Sequence, residues 1–392
     1  KAQPVLTKVD GGLRAQSADG QYKIRFGGRM QADYAFYDKD MNELGSGAEL
    51  RTMRMRMMGS VTKSWDYKLE ADFLPGSGVR ITEAYVAYKG MPNAVLMAGN
   101  LFELYGLEEF SSSTDITFME RSIAVDAFVP DYNQGVSYTR WGESYNIAAG
   151  IFGNSTNDTG NATTSSLPNV SCTATVSCNE SWGYSTRLVF APMHEVGNTL
   201  SAGLSAYWRD PVTDTWRVRA RPDSHVTSMR LVDTGTVKDV QGVSALGLEA
   251  SWTAGPLSLQ AEYNQQMLNR NKGAQDAEYK GWYVYGSYVL TGESRPWDMP
   301  SATYGRISPK GANGAWEVAL RFDELDLDDS GAGVAGGKID NVTLGLNWYA
   351  NNNVKLMLNL IKVKAEKDYD SKKPGLETDE PNIAQLRAQV VF

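Results

Sequence analysis

Two cysteines, two histidines and no long apolar run are what this 392-residue chain has little of, and each shortage removes a class of protein. His194 and His225 lie far apart, and neither flanks a serine or carboxylate in a catalytic pattern. The expectation is therefore a protein that is not an enzyme and needs no metal or cofactor. The longest apolar runs are a few residues, far short of the roughly 18 a spanning helix needs, and mean hydropathy is negative, so a helical membrane protein is excluded. A formal charge of -8 argues against nucleic-acid binding, which needs a net basic face. The opening "KAQPVLTKVD" lacks the apolar segment of a cleavable signal, which implies a cytoplasmic or already processed chain. Cys172 and Cys178, in "NVSCTATVSCNES" with no histidine near, read as a loop-stapling disulfide rather than half a metal site, and favour an oxidising compartment.

What is present is alternation. In "LRTMRMRMM", Leu50 to Met58, a helix would smear charge around its circumference, whereas a strand sorts Thr52, Arg54 and Arg56 onto one face and Met53, Met55 and Met57 onto the other. From Gln21 to Tyr37 the same dyad puts Tyr22, Ile24, Phe26, Met30, Tyr34 and Phe36 opposite Lys23, Arg25, Arg29, Gln31 and Asp33. Further segments near 65–73, 80–88, 94–102, 134–141, 145–153, 182–190, 200–209, 246–252, 257–267, 279–290, 316–323, 341–349, 354–363 and 383–392 bring the count to sixteen. Short turns, such as Lys63–Ser64, Gly90–Asn93 and Ala350–Asn353, alternate with long polar connections at 38–49, 103–133, 154–181, 210–245, 324–340 and 364–382. The connection 291–315 is long but falls at the short-turn end.

An even number of alternating segments of about ten residues, short turns at one end and long loops at the other, is the pattern of a transmembrane antiparallel β-barrel of 16 strands. A soluble all-β sandwich or propeller also alternates. Its dry core could not hold Lys23, Arg25, Arg54, Arg56, Lys68, Glu70 and Arg321, because each unpaired buried charge is costly. In a barrel these face a watery lumen and the methionines face lipid. The last strand, "AQLRAQVVF", ends in Phe392 on the face of Leu386, Ala388 and Val390, as outer-membrane barrels do.

Several stretches resemble the phosphate-selective porin O/P family: "GGRMQADY", "WDYKLEADF", "EAYVAYKG", "YGLEEFSSSTDITFMERS", "ARPDSHVTSMRLVDTG", "GPLSLQAEY", "LTGESRP" and "LGLNWYA", in order along nearly the whole chain. The resemblance implies a bacterial outer-membrane homotrimer whose third and fifth loops, about 103–133 and 210–245, fold inward, while 291–315 enters the lumen from the periplasm carrying Arg295, Arg306 and Lys310. Residues 1–19 would be a periplasmic segment and 20–392 the barrel, set in lipid and lipopolysaccharide. It also implies an arginine ladder at Arg29, Arg51, Arg121, Arg219, Arg221 and Arg230, and a constriction serine pair at Ser112 and Ser113. The residues themselves add Arg54 and Arg56, and the alternation of "WRVRARP" lines Arg217, Arg219 and Arg221 along one side, suited to handing on a phosphate or carboxylate through bidentate hydrogen bonds.

Three positions depart from the family. The second arginine of its adjacent pair is Thr52, its constriction lysine is Glu109 and its constriction aspartate is Thr82. A glutamate at a narrow point would repel anions, with Arg54 and Arg56 to compensate. Sequons beginning at Asn154, Asn157, Asn161, Asn169, Asn179 and Asn341 read as chance in a polar chain, and "DELDLDDSGAG" at 323–333 as an exposed acidic hairpin or a lipopolysaccharide-bridging ion site. The expected function is a passive porin for small anions, phosphate or related oxyanions. The alternatives are a barrel enzyme or an adhesin with an occluded lumen.

Overall fold

The computed structural model describes residues 5–9, 11–74, 78–156, 181–211, 213–271, 273–367 and 377–392. The cysteine pair and four of the six sequons lie outside the described residues. Sixteen strands follow one another: β1 (Lys23–Asp38), β2 (Gly47–Thr62), β3 (Trp65–Asp72), β4 (Arg80–Tyr88), β5 (Ala94–Phe102), β6 (Tyr132–Trp141), β7 (Tyr145–Phe152) and β8 (Gly183–Glu195). The second half comprises β9 (Asn198–Arg209), β10 (Val240–Ala254), β11 (Leu257–Arg270), β12 (Ala277–Val289), β13 (Ala315–Asp329), β14 (Val334–Tyr349), β15 (Val354–Lys367) and β16 (Asn382–Val391). Each pairs antiparallel with the next. β16 then pairs with β1, from Asn382 opposite Asp38 to Val391 opposite Arg29, so the sheet is a closed barrel. Closure leaves no edge for lipid to meet.

The seam shows why the sequence closes here. Gly28 and Phe392 exchange backbone hydrogen bonds of 2.8 and 2.9 Å. A Cβ on Gly28 would lie 2.8 Å from the Phe392 ring, and one on Gly27 2.4 Å from the Phe392 carbonyl, so paired glycines admit the terminal residue. Beyond it, a hairpin of Val5–Val9 and Leu13–Gln16 continues the sheet against Lys23–Phe26.

The expected alternation sets the two faces. Met53, Met55, Tyr34, Phe36, Leu69, Leu248, Leu344 and Leu386 point out and are exposed, whereas Gln31, Asp33, Thr52, Glu70, Ser201, Glu262 and Gln385 point in and are buried. Two register shifts modify the pattern. Gln31 lies opposite Thr52 but Ala32 lies opposite Leu50, so Arg51 is an extra residue. Strict alternation would put Arg51 on the lipid face with Met53, and the bulge turns it inward. In β4, Glu70 faces Glu83 and Ala71 faces Ile81, which leaves Thr82 as the extra residue.

The expected loop at 324–340 is corrected to a hairpin of β13 and β14 running to Asp329 and from Val334. Leu325, Leu327 and Ile339 are buried inside it while Asp328 faces out, because these apolar positions pack against Val218, Ala220, Leu231 and Val232 of the 210–239 connection. Asp323 is buried too, so the acidic run is not uniformly exposed. The connection 103–131 carries two short helices the alternation could not announce, α1 (Leu107–Phe110) and α2 (Ile123–Phe128), the latter capped by Ser122, whose side chain accepts from the Val125 backbone N–H.

Candidate functional site: a constriction on the β1 to β6 side of the lumen

Three connections pack against the inside of the barrel, and their anchors decide where the lumen stays open. The 103–131 segment crosses it. At one end the backbone N–H groups of Leu107 and Glu108 donate to Glu262 at 3.1 and 2.6 Å, and the Gly106 N–H donates to Ser205 at 3.0 Å. At the other end Lys355 donates to the Ile116 carbonyl at 2.8 Å and Asn347 to the Thr117 carbonyl at 2.7 Å. The 291–314 segment is held from the wall by Arg187, which donates to the Ser301 and Ala302 carbonyls at 3.1 and 2.8 Å while paired with Glu249. Arg295 of the same segment lies 4.3 Å from the Tyr304 ring centroid and donates to Tyr285 at 2.6 Å. Arg306 meets Asp115 at 3.1 Å, whereas Lys310 stays exposed.

The expectation that Arg321 faces water is corrected by this packing. It is fully buried against Asp223 at 2.6 Å, Asp323 at 3.1 Å and Glu108 at 3.8 Å, one cation joining the wall to both the 103–131 and 210–239 connections.

Space remains on the β1 to β6 side, where a cavity of about 410 Å³ lies between the wall and the tip of the 103–131 segment. Its lining includes Arg29, Arg51, Thr52, Arg54, Arg56, Glu109, Ser112, Ser113 and Arg121, so the structure brings most of the expected site together. Lys68, Arg80 and Arg387 complete eight cationic side chains, against six carboxylates: Glu70, Glu83, Glu109, Glu120, Asp126 and Asp131. Arg51 grips Glu120 with two hydrogen bonds of 3.0 Å, and Arg387 grips both Glu120 at 2.6 Å and Asp33 at 2.6 and 2.7 Å. These pairs fix the loop tip to β2 and β16, and although burial opposes it, Arg51 and Arg387 hold the Glu120 carboxyl well below the usual carboxylate range. Arg54 donates to Asp72 at 3.0 Å and Tyr132 at 3.0 Å. Arg29 reaches Ser112 and Glu70, both at a long 3.4 Å. Arg56 has no hydrogen bond or ion pair to the described residues, and its Nε is buried.

Thr82 is fully buried and donates to the Glu70 carbonyl and carboxylate at 3.2 and 3.1 Å, so it steadies Glu70 rather than lining the space. Ser113 presents its carbonyl to Gln31 at 3.3 Å. Glu109 does not stand as a bare repulsive charge: Arg121 Nε lies 2.9 Å from its carboxyl, and burial, against the pull of Arg121, pushes the group up to about 8. Arg121 also donates to the Glu108, Glu109 and Ser111 carbonyls at 3.1, 2.8 and 3.1 Å, which rigidifies the turn that carries them both.

The arginines of the 210–239 connection form a second group outside this cavity. Val218 and Ala220 are buried while Arg217 and Arg219 are exposed, the one-sided row expected of an extended segment, but Arg217 is taken by Asp233 at 2.8 Å. Arg221 donates to the Thr227 carbonyl at 2.8 Å and sits beside Glu120 and Arg121. Arg230 keeps Nε and Nη1 buried without a partner among the described residues; burial, with Arg221 and Arg219 near, lowers its proton affinity. Among the residues missed as site members were Lys68, Arg80, Glu120, Tyr132 and Arg387; Lys68 and Arg387 had a signal in the alternation of β3 and β16, whereas Glu120 and Tyr132 act through a loop crossing that local pattern does not reveal.

A closed barrel with an apolar belt outside and a charged interior narrowed by its own loops is the architecture of an outer-membrane porin. The chain belongs to the family described as phosphate-selective porin O and P, whose model matches residues 24–392. It is 28% identical over 402 residues to Porin O of Pseudomonas aeruginosa, covering 93% of this chain and 88% of the relative. It is 30% identical over 404 residues to an uncharacterised protein of Caulobacter vibrioides, covering 100% of this chain and 76% of the relative. Among solved structures, the anion-selective porin from Comamonas acidovorans superposes with a TM-score of 0.57 at 14% identity, over 95% of this chain and 100% of that one. The outer-membrane protein OmpT of Vibrio cholerae, in its trimer form, gives 0.56 at 10% identity, again over 95% and 100%.

Proposed function

We propose that the protein is a passive, anion-selective channel for phosphate or related oxyanions, working as a homotrimer with its long loops outside the cell and residues 1–19 and 291–315 on the periplasmic side. The observation that carries this reading is the composition of the cavity lining, eight cations against six carboxylates, one of which, Glu109, is neutral over most of the physiological range. Most of those carboxylates are consumed in ion pairs that hold arginines in place, while Arg56 and the long contacts of Arg29 leave guanidinium donors available to a passing oxyanion. Guanidinium forks match the oxygens of phosphate, and in a narrow water-filled space their field is less screened than in bulk. Membership of a family described as phosphate-selective and the fold shared with an anion-selective porin support the same assignment. Phosphate titrated into a chloride-conducting bilayer should block current, and Arg56→Ala should weaken that block by roughly ten- to a hundredfold, the loss of one charge-assisted hydrogen bond of about 1.5–3 kcal/mol. An unchanged block would remove Arg56 from the path.

A further inference from the structure

Met58 breaks the pattern of its strand: Met53, Met55 and Met57 point to lipid, but Met58 shares the inward face with Arg54 and Arg56, opposite Arg25 on one side and Lys68 on the other. It helps form a second cavity, of about 580 Å³, at the short-turn end of the β1 to β5 wall, separate from the constriction. The wall there is apolar where a hydrophilic channel needs none, with Met58, Tyr85, Ala87, Val95 and Met97. The rim is cationic. Arg14 lies opposite Arg25, which donates to the Gly11 carbonyl at 3.0 Å, where Leu13–Gln16 pairs with β1, and Lys23 and Lys89 stand beside them. Lys89 is paired with Asp66, whereas Arg14 and Lys23 are exposed and have no side-chain partner among the described residues.

We infer that this cavity is a binding site for a small amphiphilic anion, an aromatic or short hydrocarbon body carrying one carboxylate or phosphate. Its volume is that of a small-molecule site, lined by apolar side chains with a few polar groups at one edge. Two methionines supply a polarizable surface that adapts to a ring, and Arg14 and Lys23 are the charge complement of its anionic end. An inorganic oxyanion would leave the apolar wall wetted and gain nothing from it. The inference goes beyond the proposed transport of oxyanions through the constriction and does not depend on the channel conducting.

The test is equilibrium binding to the whole chain reconstituted in lipid nanodiscs, by titration calorimetry with phenyl phosphate and with methyl phosphate, which share the anionic group and differ in the apolar body. Phenyl phosphate should bind roughly tenfold or more tightly, the effect of removing one ring face from water. The double variant Met58→Gln with Met97→Gln should bring the two probes within about twofold of each other while methyl phosphate binding stays as in the native protein. The variant Met58→Leu with Met97→Leu should keep the preference, and shows that a loss in the glutamine variant is not a folding defect. Equal binding of the two probes to the native protein, or a preference that survives the glutamine substitutions, would overturn the inference.

Discussion

Arg121 Nε lies 2.9 Å from the carboxyl of Glu109, at the point where the 103–131 segment narrows the lumen. Burial, working against Arg121, makes the glutamate a conditional charge. Burial raises its carboxyl to about 8, so it is mostly neutral below that pH and negative above it. Chloride over potassium selectivity should therefore fall as pH rises from about 6 to 9, and Glu109→Gln should flatten the profile. Chloride is the right probe because it does not titrate. An identical decline in Glu109→Gln would assign the effect to another group.

Converting the same position to the family's residue should go further. Glu109→Lys places a second cation beside Arg121, so its stability should drop slightly, while phosphate should block chloride current at lower concentration than in the native protein. A weaker block would mean that Glu109 positions Arg121 rather than tuning the charge of the path.

Glu120 should behave as a clamp. Arg51 and Arg387 depress its carboxyl below its ordinary 4.5, so the stabilisation from this pair is fully present above the unfolded value and is lost only as pH falls through the lower folded one. The constriction should keep its single-channel conductance down to about pH 5. Glu120→Gln removes the charge shared by two guanidinium groups at a cost of about 1–3 kcal/mol. Faster hydrogen exchange over residues 107–128 and noisier current are expected; unchanged exchange would show that the other anchors suffice.

The two faces of β2 give opposite outcomes. Met55→Arg puts a cation on the lipid side, where it costs roughly 2–4 kcal/mol near the bilayer midplane, and should impair assembly. Arg56→Ala should assemble normally, read by heat-modifiable migration on gels. The reverse result would overturn the register of β2 and the pore built on it.

Period-two alternation made these faces legible, because Met53, Met55 and Met57 have only one place to go in a closed sheet. Arg51 was legible as a site residue by resemblance, but not its orientation, since that depends on one extra residue in the ladder. The strand extension through Leu325 and Leu327 was hidden because the flanking aspartates look like loop until the 210–239 connection supplies the apolar surface they alternate against. Glu120 meeting Arg387, and Arg321 meeting Asp223 and Glu108, are contacts across more than ninety residues that no local pattern encodes.

The central claim is that a chain of net charge -8 passes anions, because cations outnumber carboxylates along the path and most of those carboxylates are held in ion pairs. The direct measurement is the zero-current potential of the purified protein in a planar bilayer under a potassium chloride gradient at pH 6. The expected sign is that of chloride permeating faster than potassium. A potential of the opposite sign, persisting in Glu109→Gln, would contradict the account.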